Sequence, residues 1–270
     1  MQDNPLGKAI NYTDVYSPSL LFPIARSQGR LGLGIKDPVP FDGVDRWSCY
    51  EVSWLADNGL PQVGIATISY SALSTNIVES KSLKLYLGSL NFKVFANVSD
   101  LENLITCDLL TVLGAESGVV VSVLRPSEWQ SQRVVIPKEE CIDTETVERE
   151  SAARLVADEE LFVEEALYSD LLRSLCPVTS QPDWGTVRIA YTGNKINRAS
   201  LLAYLIAHRS YQGYHEECCE RIFSAIKACC NPKKLWVGCF YTRRGGIDIN
   251  PERWLEGTAR PNLLGRLPRQ

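Results

Sequence analysis

Residues 61–70, PQVGIATISY, are repeated in a similar form at residues 182–191, PDWGTVRIAY. Proline, glycine, isoleucine and tyrosine recur in register. A second match, between residues 82–87 and residues 200–205, follows the two copies. The repeat predicts that the chain contains two versions of one folding unit, which we assign to residues 1–145 and 146–270.

The two copies carry different reactive side chains. Asp183 occupies the position of Gln62 in the first copy, and the same offset places Cys176 opposite Leu55. A duplicated unit whose halves retain different chemistry suggests one active site built from both halves, rather than one site in each.

Local patterns predict the same order of elements in each half. In the first half, the β-rich residues 46–55 and 62–69 flank the turn signal DNGLP, which is typical of a hairpin. Apolar residues at helical spacing and a valine run then predict two helices and a strand, at residues 82–92, 100–113 and 118–124. The second half repeats this order with a strand, two helices and a strand, at residues 186–191, 198–209, 215–230 and 235–242.

Two segments are ambiguous on local pattern. The periodicity of residues 159–175 suits a helix, but the equivalent place in the first half is a strand entering a hairpin. We follow the repeat and predict a strand. The acidic residues 143–165 are predicted to connect the halves as a solvated helix or linker.

These elements predict an α+β fold with antiparallel sheets and helices packed on one face. Such a sheet has open edges, which proteins normally pair or cover. We therefore expect the halves to pair with each other, and two chains to form a homodimer.

Composition excludes several classes of protein. The 270-residue chain has a net charge of −4 and a pI near 5.4, which argue against a broad basic surface for nucleic acid. Residues 1–5 lack the features of a signal peptide and no segment has the apolar length of a membrane span, so we expect a cytoplasmic protein with no membrane partner. The nine cysteines form no CxxC pair and there are two histidines, so we expect free thiols and no metal site.

Cys176 and Asp183 are the candidate catalytic pair. If Cys176 ends one strand and Asp183 begins the next, a short loop brings thiol and carboxyl to one pocket. A thiolate attacks electrophilic carbon, and a nearby acid supplies the proton. The alternative is a buried cysteine beside a Pro-Asp-x-Gly turn. The first half has the same turn with Gln62, so the turn does not require Asp183.

Two further groups are candidates for ligand binding. Glu216, after His215, can accept two N–H donors from a purine-like edge, although a first-turn glutamate is also a common capping aid. Residues 79–86, ESKSLKLY, begin a helix that Ser80 or Ser82 can cap, and the free amides there suit an anion. Residues 241–246, YTRRGG, add two guanidiniums and two glycines, which suit phosphate.

Four ordered motifs together resemble the NADPH-dependent 7-cyano-7-deazaguanine reductases of queuosine biosynthesis, in their long two-domain form. They are residues 79–86, Cys176 with QPDWG at 181–185, His215-Glu216, and YTRRGGIDINP at 241–251. The resemblance covers residues 21–251 and implies tandem tunnelling-fold domains.

The resemblance also implies roles for individual residues. Cys176 would form a covalent thioimide with the nitrile carbon of the deazapurine substrate, Asp183 would donate protons, and two NADPH would supply two hydrides. The substrate pocket would contain Val78, Glu79, Ser80, His215 and Glu216. NADPH would contact Ser80, Lys81, Arg244 and Gly245. The amine product reaches tRNA through a different enzyme, so no direct nucleic-acid partner is implied.

Two other functions remain open from the residues. A cysteine-dependent hydrolase of a nitrile or amide would share Cys176 and an acid, but has no need for clustered phosphate-binding cations. A non-catalytic purine-binding module would share the fold and Glu216, but gives no reason for Cys176 beside Asp183. A zinc-dependent relative is disfavoured by the scarcity of histidine.

Overall fold

The computed structural model describes residues 15–131, 133–147, 154–261 and 265–270. These residues form two compact units. The first contains the described parts of residues 1–32, 44–132 and 243–249, and the second contains those of residues 33–43, 133–242 and 250–270. The predicted boundary at residue 145 stays a prediction.

The first unit is built on a long antiparallel hairpin. Strands β2 and β3 pair through ten residues of each strand, from Val44 with Ser71 to Leu55 with Pro61, and β5 pairs antiparallel with β3. The predicted hairpin, both helices and the strand are confirmed. The elements are β1 (Pro23–Ala25), α1 (Arg26–Gly32), β2 (Asp42–Leu55), β3 (Pro61–Ser71), β4 (Asn76–Val78), α2 (Ser80–Gly88), α3 (Val98–Leu113) and β5 (Val120–Leu124).

The second unit repeats this plan. Two long antiparallel strands, two helices and an antiparallel strand follow one another, and a two-residue strand pairs in parallel at the outer edge. The elements are β6 (Glu140–Cys141), β7 (Ala157–Leu175), β8 (Pro182–Ile196), α4 (Arg198–Ala207), α5 (His215–Cys230), β9 (Lys234–Tyr241) and β10 (Ile247–Trp254). The first three residues of β10 belong to the first unit. Four 3₁₀ turns complete the structure, at Pro18–Leu20, Ala115–Ser117, Pro126–Ser131 and His208–Ser210.

The repeat was the better guide to residues 159–175, which lie in strand β7 as predicted. Residues 143–165 were predicted to connect the halves as a solvated helix or linker. This prediction is wrong for residues 157–165, because they form the first half of β7. This acidic segment pairs with β8 along its backbone, so backbone pairing outweighs local charge. Residues 148–153 of the predicted connector lie outside the described residues.

Each unit has its own apolar core. In the first unit, residues of β2 and β3 pack with the buried faces of α2 and α3, including Trp47, Ile68, Leu83 and Leu101. In the second unit, α5 packs against β8 and β9, and α4 packs against β7. The expected arrangement of helices on a face of an antiparallel sheet is therefore confirmed.

The cysteines behave mainly as small core residues. All nine are free, and Cys218, Cys219 and Cys230 are fully buried on α5 while Cys229 is half-buried. Among the described residues, no group of three or more histidine, cysteine or acidic side chains is arranged to hold a metal ion. No helix in the described ranges is long and apolar enough to cross a membrane.

Candidate active site

Cys176 is the first residue after β7 and is 6% exposed. Its amide donates to the carbonyl of Gln181 at 2.9 Å, and the amide of Ser180 donates to the carbonyl of Cys176 at 3.0 Å. Ser180 adopts a left-handed conformation with φ of 56°. These bonds close a tight loop whose residues 177–181 are exposed while the cysteine at its base is buried.

The register of the hairpin places Asp183 beside this loop. Leu175 pairs with Pro182 and Ser174 pairs with Asp183, whose side chain is 7% exposed. The sequence predicted that a short loop joins the strand of Cys176 to the strand of Asp183. The structure has such a loop, because β7 ends at Leu175 and β8 begins at its register partner Pro182.

Comparison of the two hairpins corrects one equivalence. In the first unit Leu55 pairs with Pro61 and Trp54 with Gln62, so Gln62 matches Asp183 as the repeat predicted. Leu55, however, matches Leu175, and Cys176 matches Ala56. The sequence comparison placed Cys176 opposite Leu55 because it used one constant difference in residue number. The second loop is one residue longer than the first, so this difference does not hold on both sides of the loop.

Leu175 connects the segment before α5 to the base of the Cys176 loop. Its amide donates to the carbonyl of Tyr211 at 2.8 Å, and its carbonyl accepts from the amide of Gly213 at 3.1 Å. The segment that leads into α5 therefore runs along the end of β7. Two residues later, His215 and Glu216 begin the helix.

His215 completes this group. Its Nε2 lies 3.8 Å from Oδ2 of Asp183, which is an ion pair when the imidazole is protonated. The ring stands edge-on against the Tyr241 ring, with centroids 4.0 Å apart and an interplanar angle of 82°. Strand β8, the start of α5 and strand β9 thus converge on one place in the second unit.

Tyr241 and Gly185 are site residues that sequence reasoning did not assign. They are register partners on β9 and β8, and a Cβ added at Gly185 would lie 2.9 Å from the Phe240 carbonyl and 3.2 Å from Tyr241 Cδ1. The glycine therefore leaves room for the buried tyrosine that supports His215. Gly185 lies in the motif QPDWG and Tyr241 in the motif YTRRGGIDINP. Membership of these motifs is the feature of the sequence that could have identified both residues.

Glu216 is buried, at 3% exposure, in the first turn of α5. The capping contact comes from its neighbour, because Oε2 of Glu217 accepts from the amide of Tyr214 at 2.9 Å. Burial raises the pKa of Glu217. Glu217 thus makes a capping contact of α5, and the buried carboxylate of Glu216 beside it suits a ligand with N–H donors.

A second buried thiol near this site is not a rival nucleophile. Burial raises the pKa of Cys218 to about 12, so the thiol stays protonated at neutral pH. Cys218 interacts with Ser174 and Tyr241, which places it behind the Asp183–His215 pair rather than in the loop.

In the first unit, Glu79 caps α2. Its carboxylate accepts from the amides of Lys81 at 2.8 Å and Ser82 at 2.7 Å. Burial raises the pKa of Glu79, while these two amides and the charge of Lys84 act in the opposite direction. The prediction that Ser80 or Ser82 caps this helix is wrong. Ser80 hydroxyl donates to Glu79 at 3.4 Å, and Ser82 hydroxyl donates to the Glu79 carbonyl at 2.6 Å.

This cap changes the expected phosphate site. The amides of Lys81 and Ser82, which the sequence offered to an anion, already bind a carboxylate. Val78 ends β4 and is buried at 1% exposure, whereas Ser80 and Lys81 are half-buried. Side chains, rather than helix amides, remain to bind an anion at this helix start.

Arg244 and Gly245 lie in a tight turn of the first unit. The turn is closed by the Arg244 amide and the Ile247 carbonyl at 2.9 Å, and Gly245 and Gly246 have φ values of 58° and 74°. A Cβ at Gly245 would lie 3.2 Å from Lys84 Cε and Nζ, so the Lys84 ammonium lies against this turn. Sequence reasoning assigned Lys84 no role, although its i+4 spacing from Ser80 places both on one face of α2.

Comparisons with known proteins match two family models and several full-length relatives. A family described as "Nitrile reductase, 7-cyano-7-deazaguanine-reductase N-term" matches residues 12–122, and one described as "QueF-like protein" matches residues 182–258. The chain is 45% identical to the NADPH-dependent 7-cyano-7-deazaguanine reductase of Desulfotalea psychrophila, over 98% of this chain and 97% of the relative. It is 43% identical to that of Paraburkholderia xenovorans (100% and 99%) and 46% identical to that of Chromobacterium violaceum (93% and 91%). The two matched regions fit tandem tunnelling-fold domains.

Proposed function

Because the chain belongs to the family of NADPH-dependent 7-cyano-7-deazaguanine reductases, we propose that Cys176 and Asp183 carry its reaction through a covalent thioimide. The reaction converts 7-cyano-7-deazaguanine into 7-aminomethyl-7-deazaguanine in queuosine biosynthesis, with NADPH as the reductant. The observation that carries the residue assignment is the convergence of the Cys176 loop, Asp183 and His215 at one end of the second hairpin.

The first step is addition of the Cys176 thiolate to the nitrile carbon. A C–S bond forms, one π bond of the nitrile breaks, and the nitrogen takes a proton from Asp183, which leaves a neutral thioimide. Hydride from one NADPH then reduces the carbon while a proton reaches nitrogen. Loss of the thiol regenerates an imine, which a second hydride and a proton reduce to the amine. The sum consumes two NADPH and two protons.

Asp183 suits the role of proton donor. It is almost fully buried beside the Cys176 loop, and the Nε2 of His215 lies 3.8 Å from its carboxylate. A protonated His215 would return the proton that Asp183 gives up, and the edge-on Tyr241 ring holds the imidazole in place.

Substrate recognition is assigned to two motifs. Glu216 accepts the adjacent amino and imino protons of the deazapurine, and His215 donates to its carbonyl. The family motif at the start of α2 assigns substrate binding to Val78, Glu79 and Ser80 as well. The carboxylate of Glu79 already binds two amides of the first turn of α2, which supports a role in fixing Ser80 and Lys81 at the start of that helix.

NADPH is assigned to the cationic face of the first unit. Ser80, Lys81, Arg244 and Gly245 contact the cofactor, and the ammonium of Lys84 beside Gly245 adds a further positive charge. Because Glu79 occupies the first amides of α2, the diphosphate of NADPH is bound by side chains and by the glycine turn.

The assembly is proposed to be a cytoplasmic homodimer that handles a small deazapurine, with no nucleic-acid or membrane partner. The net charge of −4 supports the absence of a broad nucleic-acid surface. Pairing of sheet edges between chains would remove the exposed edge that each unit otherwise presents.

One experiment separates the reductase from the cysteine hydrolase. The protein is incubated with 7-cyano-7-deazaguanine and NADPH, and absorbance at the reduced nicotinamide band is followed together with product mass. Two NADPH oxidised per amine formed is the expected result. Nitrile converted to acid or amide without loss of NADPH would establish the hydrolase, and no conversion with tight binding would favour a purine-binding module.

A further inference from the structure

Three arginines surround the indole of Trp184 in the second unit. The guanidinium carbons of Arg173, Arg209 and Arg269 lie 5.4, 5.5 and 5.9 Å from the ring centroid. Trp184 is 38% exposed, whereas its neighbour Asp183 is 7% exposed. Because successive side chains of a strand point to opposite faces, this cluster lies on the other face of β8 from the catalytic carboxyl.

Backbone contacts hold two of these side chains in place. Arg173 is the register partner of Trp184, and its Nη1 donates to the carbonyl of Arg209 at 2.8 Å. Arg269 Nη1 donates to the carbonyl of Asp170. The positive charges are therefore positioned over the indole by the fold, and guanidinium N–H groups that do not face the ring remain for other acceptors.

The charge of this cluster is not balanced by carboxylates. Within the described ranges, no aspartate or glutamate forms an ion pair with any of the three guanidiniums. The nearest acidic residue along the strand, Asp170, receives the Thr186 hydroxyl on its carboxylate at 2.5 Å. Elsewhere arginines do pair with acids, as in Arg26–Asp45, Arg188–Glu139, Arg198–Glu140 and Arg253–Glu220.

Three positive charges that no described carboxylate pairs with repel one another. The chain as a whole has more acidic than basic residues, 32 against 28, so this local excess of positive charge is not a general property of the protein. A bound dianion would remove this repulsion. Phosphoryl oxygens match the paired N–H groups of guanidinium forks, and several forks can bind one phosphoryl group from different directions.

We propose that Trp184, Arg173, Arg209 and Arg269 form a binding site for a phosphoryl group. The group can belong to NADPH, as its 2′-phosphate, or to a separate phosphorylated metabolite. The site goes beyond the proposed reaction and does not depend on nitrile reduction, since it uses none of the residues assigned to the chemistry.

The probe is inorganic pyrophosphate, titrated into the full chain at low ionic strength and followed by calorimetry. Binding by the unaltered protein is expected, with a dissociation constant that rises about tenfold in Arg209→Gln and in Arg269→Gln. Arg260→Gln is the matched control. Arg260 lies over Trp254 at 4.7 Å as a lone guanidinium on an indole, and its loss should leave pyrophosphate binding unchanged.

Two further arms identify the source of the phosphoryl group. If adenosine 2′,5′-bisphosphate displaces pyrophosphate, and Arg209→Gln narrows the preference for NADPH over NADH, the ligand is the cofactor's 2′-phosphate. If pyrophosphate and the bisphosphate bind together, the ligand is a separate metabolite. Absence of pyrophosphate binding, or equal binding by Arg209→Gln, Arg269→Gln and Arg260→Gln, overturns the proposal. Circular dichroism of each variant checks its fold. Trp184→Phe, which keeps an apolar ring beside the three guanidiniums, is a second test of the site.

Discussion

Nε2 of His215 lies 3.8 Å from Oδ2 of Asp183, although the two residues are 32 positions apart and belong to a helix start and a strand. The contact exists because Leu175, at the end of β7, pairs with Pro182 on one side and hydrogen-bonds Tyr211 and Gly213 on the other. The end of one strand therefore brings Asp183 and His215 together.

Asp183→Asn should slow NADPH oxidation roughly 10²–10⁴-fold, because the amide keeps the shape of the side chain but cannot donate an acidic proton. Steady-state kinetics measure the effect. Gln62→Asn changes the equivalent position in the first hairpin and should leave the rate unchanged. Equal rates for Asp183→Asn and the unaltered enzyme would remove Asp183 from the mechanism.

Cys176→Ala should abolish the covalent adduct formed with 7-cyano-7-deazaguanine in the absence of NADPH. Intact-protein mass spectrometry detects the adduct as an increase by the full mass of the nitrile. Cys107→Ala, which removes an exposed thiol, should still form it. Cys218 should not substitute for Cys176, since burial raises its pKa to about 12. An adduct that survives in Cys176→Ala refutes the nucleophile assignment.

Glu216→Ala should weaken substrate binding by about 3 kcal/mol, roughly a hundredfold, because two charge-assisted hydrogen bonds are lost. Calorimetry with the nitrile and without NADPH measures the affinity. The adjacent Glu217→Ala is the control, because Glu217 caps α5 through the Tyr214 amide. It should lower the melting temperature and alter affinity little. The reverse pattern would assign recognition to Glu217.

Gly185→Ala should destabilise the second unit by about 1–3 kcal/mol, because the new methyl lies 2.9 Å from the Phe240 carbonyl and against Tyr241. It should also disturb the ring that supports His215. Urea unfolding measures the first effect and kcat the second. Gly32→Ala is a control, since nothing lies within 4 Å of its added Cβ. Unfolding midpoints that coincide for both variants would contradict the packing argument.

The free energy of unfolding should fall as the pH is lowered from about 6.5 to 4, because His208 is protonated more readily in the unfolded chain than in the folded one. Burial lowers the pKa of His208 from 6.5 to about 4, and its Nδ1 lies 3.0 Å from the Tyr204 carbonyl. Between these values the unfolded chain binds a proton that the folded chain does not. Acid therefore favours unfolding, by at most on the order of 3 kcal/mol. Denaturant titrations at several pH values measure the slope of the unfolding free energy against pH.

His208→Gln removes the titrating group and should flatten this part of the stability profile. The variant lowers stability at pH 7, where the neutral imidazole packs between Tyr204 and Tyr211, so slopes rather than absolute values are compared. A slope that persists in His208→Gln would assign the acid sensitivity to other groups.

Much of the architecture follows from local chemistry that can be identified in the sequence. A turn signal between two β-rich runs predicts the first hairpin, and apolar spacing predicts α3 and α5 with nearly correct ends. Residues 159–175 needed the repeat, because the periodicity of this segment alone suits a helix. Pairing with β8 along the length of β7 then decides the outcome.

Side-chain type and order are enough to predict the two-unit α+β plan, the reaction family and Cys176, Asp183 and Glu216 as candidate site residues. Which groups contact one another could be seen only in the folded chain. It matched Leu175 with Leu55, made Glu79 the cap of α2, placed Lys84 beside Gly245 and packed Tyr241 against His215. The physical reason is that these contacts depend on strand register, loop length and burial, which are set by atoms far apart in the chain.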